Sequence, residues 1–159
     1  MSENTTNNDD NKEPRRVALF VGINEYDDPK LPNLDNAAND AYVLSRFFIE
    51  HGYECTRLNT PKVTVQTIKE KVTVLTRELD ANDVFLFFFA GHGGIVKQGG
   101  QSFQGLFASD EKFDVLSRGA CQLIVDKDIP SCDSRCQWLM IIDACRTEIP
   151  NQYEKEDAQ

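Results

Sequence analysis

The sequence predicts an α/β protein whose mostly parallel sheet is covered by helices on both faces. Three observations carry this. Three short apolar runs each break just before Gly or Asp, a fourth segment alternates as a strand does, and between the strands two segments repeat apolar residues at helical spacing. At 159 residues, 40% hydrophobic and 27% charged, the chain has the length of one domain and the means to bury a core. Wholesale disorder, collagen and coiled coil are set aside.

Val17 to Val21 is a continuous apolar run closed by Gly22, as a strand buried on both faces reads. Ala37, Ala41, Leu44 and Phe48 then form a helical stripe, with Gly52 where a helix C-cap stands. Tyr53 to Leu58 alternates, as a second strand does. Val65, Ile68, Val72, Leu75 and Leu79 make a second amphipathic helix. Val84 to Ala90, with three consecutive Phe, is a third strand broken by Gly91. Residues 91 to 102 hold five Gly and read as a loop, and Phe103 to Ala108 reads as a short extended piece. Asp126 to Cys136 has room for a short helix, and Trp138 to Ile142 reads as a fourth buried strand ending at Asp143-Ala144-Cys145.

Residues 1–14 and 151–159 are expected to be flexible acidic tails around one domain spanning 15–150. The first 14 residues have no apolar cluster and end in Pro14. The net charge of −9 argues against nucleic acid or an anionic membrane as partner. Its distribution sharpens that point. Glu3, Asp9, Asp10 and Glu13 against Lys12, and Glu148, Glu154, Glu156 and Asp157 against Lys155, put −3 in each terminal stretch.

No secretory signal is present, and the longest apolar run is a third of the ~20 residues a membrane helix needs. Cys55, Cys121, Cys132, Cys136 and Cys145 are an odd count without the spacing of a disulfide scaffold, so a reducing, cytoplasmic compartment is expected. Cys132 and Cys136 are four apart, but no second pair nearby completes a zinc site, so no metal is expected.

In a parallel sheet, ligands bind outside the carboxyl ends of the strands. That rule selects Gly22–Tyr26, Gly91–Gly94 and Asp143–Arg146. His92 follows the third strand and Cys145 the fourth, which gives an imidazole to deprotonate a thiol and a thiolate to act as nucleophile. Alone, Cys145 would read as a small buried hydrophobe and His92 as a satisfied polar residue. Their joint placement at strand ends, with Gly91 and Gly93 on either side of His92, favours chemistry. The amides of Gly93 and Cys145 are candidate donors to an oxyanion. His51, beside Gly52 at a helix end, reads as structural.

These residues also carry a resemblance. Asp143-Ala144-Cys145-Arg146 with His92 upstream resembles the caspase pattern, in which a Cys follows Ala and its His lies about 50 residues earlier. Ala90-Gly91-His92-Gly93, Val17-Ala18-Leu19-Phe20-Val21-Gly22-Ile23-Asn24 and Asn39-Asp40-Ala41 followed by Leu44 are similar to the paracaspase and metacaspase side of that superfamily. The resemblance implies a caspase-like three-layer α/β/α fold, of which this chain holds the large-subunit portion. It implies a cysteine endopeptidase with His92 as base and acid, Cys145 as nucleophile and a thioester intermediate. It also implies that Asp40 and Asp143 form an acidic S1 pocket for Arg or Lys. A carboxylate pair desolvated in a pocket would favour a guanidinium or ammonium.

Two departures matter. Residues 93–100 contain no carboxylate where many metacaspases carry an acidic calcium-responsive loop, so neither calcium dependence nor any other cofactor is expected. The chain also continues only 14 residues beyond Cys145, whereas the family adds a small subunit with two more strands. A p10-like small-subunit partner is therefore expected, alongside protein or peptide substrates, and Arg118, Lys127 and Arg135 are weighed as self-cleavage positions. The competing readings are a non-catalytic assembly module with a caspase fold and, with less support, a thiol or zinc sensor at Cys132 and Cys136.

Overall fold

A computed structural model describes residues 12–59, 62–116, 120–129 and 136–145. Strands β1 (Arg16–Gly22), β2 (Glu54–Leu58), β3 (Val84–Ala90) and β6 (Gln137–Asp143) form one sheet in the order β2-β1-β3-β6, all pairs parallel. Helix α1 (Ala37–Glu50) covers one face. Helix α2 (Val65–Thr76) and the antiparallel hairpin of β4 (Gly93–Gln98) and β5 (Gln101–Leu106) cover the other. Two single-turn helices, α3 (Phe113–Leu116) and α4 (Val125–Asp128), complete the described elements. This is the α/β arrangement with a parallel central sheet and elements packed on both faces that the sequence predicts.

The two faces follow from strand alternation. Val17, Leu19 and Val21 of β1 with Phe85, Phe87 and Phe89 of β3 pack toward α2, against Ile68, Val72 and Leu106. The alternate residues Ala18, Phe20, Leu86, Phe88 and Ala90 pack toward Ala37 and Ala41 of α1. Phe85, Phe87 and Phe89 are fully buried, and each contributes roughly 1.5–3 kcal/mol relative to exposure.

Local signals fix the helix ends. Thr64 caps α2 by accepting from Thr67 N–H at 3.2 Å, and Asp110 Oδ1 accepts from Val65 N–H at 3.0 Å. Helix α1 is capped from a distance: Asn24 Oδ1 accepts from Ala38 N–H at 3.0 Å. His51 closes α1, its Nδ1 donating to the Phe47 carbonyl at 2.7 Å and its ring stacked on Phe47, at the far end of the helix from Asp40.

Three expectations change. Residues 93–106 are a hairpin rather than a loop followed by a short extended piece. Gly99 and Gly100, at φ +57° and +79°, form its two-residue turn between paired Gln98 and Gln101, and positive φ at both positions suits glycine. The second helix ends at Thr76, and Leu79 is buried from the segment beyond it. Strand β6, read as buried, lies at the sheet edge: Leu139 is 43% exposed, and β3 is its sole strand neighbour among the described residues. Among those residues, no helix is long and apolar enough to cross a membrane.

Candidate active site

The site is built where β3 and β6 end side by side. Their register pairs Ala90 with Asp143, and one further backbone bond, Gly91 N–H to the Asp143 carbonyl at 3.2 Å, carries the ladder past the strand ends. His92 and Cys145 emerge immediately beyond. Beside them, Leu34, Asp40, Gly91, Asp143, Ala144 and Cys145 line a cavity of about 440 Å³. The structure thus brings Cys145 and both candidate pocket acids to one concavity.

Asp40 stands in the first turn of α1, and Asp143 is the last residue of β6. Both are exposed in the open cavity. This corrects the expectation of a desolvated carboxylate pair: their dehydration would come only with an occupant. Asp35 lines the same cavity as a third acid, and its carbonyl accepts from Asn24 Nδ2 at 3.3 Å.

His92 is half-buried and its ring is held from two sides. Its Nε2 lies 2.6 Å from the Pro32 carbonyl. A carbonyl only accepts, so Nε2 carries a proton and the neutral ring presents its lone pair at Nδ1. The Tyr26 ring packs against the imidazole at 4.6 Å between centroids, and the Tyr26 hydroxyl accepts from His92 N–H at 2.7 Å. No hydrogen bond joins the imidazole to the Cys145 thiol in this unliganded arrangement, although catalytic contacts commonly tighten when substrate binds.

Gly93 begins β4 and packs directly against Ala144, the neighbour of Cys145. A Cβ there would lie 2.9 Å from Ala144 Cβ and 2.8 Å from the Gly105 carbonyl oxygen. The His92 carbonyl in the same peptide accepts from Phe107 N–H at 2.9 Å, so the trans Gly93 N–H points away from β5. Gln104 of β5 donates from Nε2 to the Cys145 carbonyl at 3.1 Å and tethers the chain there.

Several contributors escaped the sequence reading. The Pro32 carbonyl is a main-chain atom with no side-chain signature. Gln104 fell in a segment read only as a short extended piece. Tyr26 closed a stretch already selected, but nothing in the sequence assigned its hydroxyl to His92. Cys132, Arg118, Arg135 and Arg146 lie outside the described residues. Lys127 is engaged, its Nζ 3.7 Å from the Phe103 ring centroid and 3.3 Å from Gln98 Oε1. Cys136 and Cys121 are buried, and burial pushes the Cys121 thiol up to about 12.

The fold has counterparts among known proteins. The crystal structure of protein GSU0716 from Geobacter sulfurreducens is similar at a TM-score of 0.65 and 22% identity, over 83% of this chain and 51% of that one. The present chain therefore spans about half the length of that protein. No curated protein matches. The family model described as "Caspase domain" matches residues 15–159. That match runs through every strand of the sheet and every residue of the cavity, so the chain belongs to the caspase domain family of cysteine peptidases.

Proposed function

We propose that the chain is the catalytic large-subunit portion of a cysteine endopeptidase that cuts after Arg or Lys. The observation that carries this reading is the single cavity lined by Cys145, Asp40 and Asp143, with His92 one residue beyond its Gly91 wall. A basic side chain entering it would meet carboxylates while its backbone carbonyl lay near the thiol.

The chemistry follows from the placement. The Cys145 thiol gives its proton to His92 Nδ1, and the sulfur attacks the scissile carbonyl. Negative charge on the carbonyl oxygen is met by the Gly93 and Cys145 amides. His92 returns its proton to the departing amine, which leaves a thioester. Water, deprotonated by the same imidazole, releases the acid and regenerates the thiol. The Pro32 carbonyl accepts from Nε2–H in both protonation states and so holds the ring's orientation through these steps.

A p10-like small subunit would pair with the edge of β6, which has no strand neighbour beyond β3 among the described residues; the exposed Leu139 supports this. A cytoplasmic location fits the cysteines, all four described ones being free thiols.

The test is a peptide panel with Arg, Lys, Asp or Ala before the scissile bond, assayed with the chain alone and with a small-subunit candidate, and with Cys145→Ala as control. Cleavage after Arg or Lys that Cys145→Ala abolishes is expected. Preference for Asp would remove the pocket assignment. No cleavage under any condition would favour the non-catalytic assembly module.

A further inference from the structure

Beyond the dyad and the pocket, one residue, Tyr26, contacts both the backbone and the ring of His92 and is bonded to Asn33 beside Pro32. The Tyr26 hydroxyl accepts from His92 N–H at 2.7 Å and faces the Ile23 carbonyl at 3.4 Å. Its ring lies against the imidazole, and its own N–H donates at 3.0 Å to Asn33 Oδ1, next to the Pro32 whose carbonyl binds Nε2. Tyr26 therefore joins the end of β1, the start of the hairpin and the Pro32 turn.

The hairpin gives way to this contact. Phe107 N–H donates to the His92 carbonyl, but His92 N–H turns to the phenol, and His92 stands just outside β4. The fit is close enough to specify its neighbour: a Cβ on Gly91 would lie 2.8 Å from the Tyr26 oxygen. Burial pushes the phenol up to about 12, so the hydroxyl keeps its proton across the working range.

We infer that Tyr26 is a positioning residue, whose hydroxyl and ring fix the backbone and rotation of His92 and so the direction in which Nδ1 faces Cys145. The inference rests on the proposed His92–Cys145 dyad. It assigns the hydroxyl a role that packing alone does not require, because phenylalanine would fill the same space.

The experiment fills the pocket, so that imidazole and thiol can close on each other. Inactivation of Cys145 by an arginyl chloromethyl ketone is followed against pH by peptide mass spectrometry in the wild-type chain, Tyr26→Phe and His92→Ala. An imidazole that takes the thiol's proton speeds this reaction, and His92→Ala should abolish that enhanced reactivity. Tyr26→Phe should lower it about tenfold, the scale of one lost hydrogen bond that leaves an amide unpaired, and move the profile toward that of His92→Ala. A Tyr26→Phe profile that overlays wild type while His92→Ala differs overturns the role of Tyr26 alone. An unchanged His92→Ala profile removes the dyad and the role of Tyr26 with it. Amide hydrogen exchange in the wild-type chain guards against a variant that misfolds: the His92 amide should be protected, and exchange at the rate of an unstructured peptide would overturn the inference.

Discussion

The imidazole of His92 and the carbonyl of Pro32 meet at 2.6 Å, and that bond settles which ring nitrogen can serve as base. Because the carbonyl can only accept, Nε2 is the protonated nitrogen of the neutral ring. Nitrogen-15 NMR of the ring above its titration should find Nε2 protonated and Nδ1 bare. The opposite tautomer would disconnect Nδ1 from the proposed proton transfer.

Asp40 and Asp143 reach the cavity from different elements, the first turn of α1 and the last residue of β6. Asp40→Asn and Asp143→Asn should each lower kcat/KM for an Arg substrate by about tenfold, a moderate loss because both carboxylates are solvated before binding. Asp35→Asn, at the same cavity but outside the motif, should cost less. Equal kinetics for wild type and both motif variants would dismiss the S1 assignment.

Gly93 has no room for a side chain between Ala144 and the Gly105 carbonyl. Gly93→Ala should displace the first residue of β4 and with it the amide proposed for the oxyanion. The expected result is a fall in kcat of about a hundredfold with KM nearly constant. A drop confined to KM would mean that the amide binds ground-state substrate instead.

Glu111 is fully buried, and neither carboxylate oxygen has a hydrogen-bond partner among the described residues. Burial raises its pKa to about 7. Asp110 adds to the rise, whereas the Gln122 amides and Lys69 act in the opposite sense. Between the unfolded value near 4.5 and the folded value, the native state holds a proton that the unfolded state has released. Stability therefore falls as pH rises from about 4.5 to about 7, by on the order of 3 kcal/mol, and this group adds no further change above that. Glu111→Gln should be more stable than wild type at pH 7.5, with a flatter profile in denaturant titrations. Identical slopes in the two proteins would show that the carboxyl is hydrated.

Most of the sheet was legible because its strands are apolar on both faces and its helices carry a clean stripe. The hairpin was not, although Ile95-Val96-Lys97-Gln98 and Gln101-Ser102-Phe103-Gln104 flank a two-glycine turn of the kind that marks hairpins. Counting the five glycines together concealed that Gly99 and Gly100 make the turn while Gly91 and Gly93 make room for Tyr26 and Ala144. The edge position of β6 was equally hidden, since an apolar run reports what a strand can bury against and not whether a neighbour is present. At the site, the side chains at strand ends were readable from order and spacing. The Pro32 carbonyl, the Tyr26 hydroxyl and the Gln104 amide were not, because each acts through a contact that exists only after long-range packing.

The backbone bond from Gly91 to the Asp143 carbonyl has a wider meaning for how such a site can change over time. The spacing of the proposed base and nucleophile comes from the pitch of two neighbouring strands, not from the chain that joins them. Beyond the hairpin, whose Gly93 and Gln104 meet Ala144 and Cys145, insertions, deletions or a cut in the connecting stretch leave His92 and Cys145 in register as long as β3 and β6 stay paired. That part of the connector is free to diversify while the proposed chemistry stays fixed.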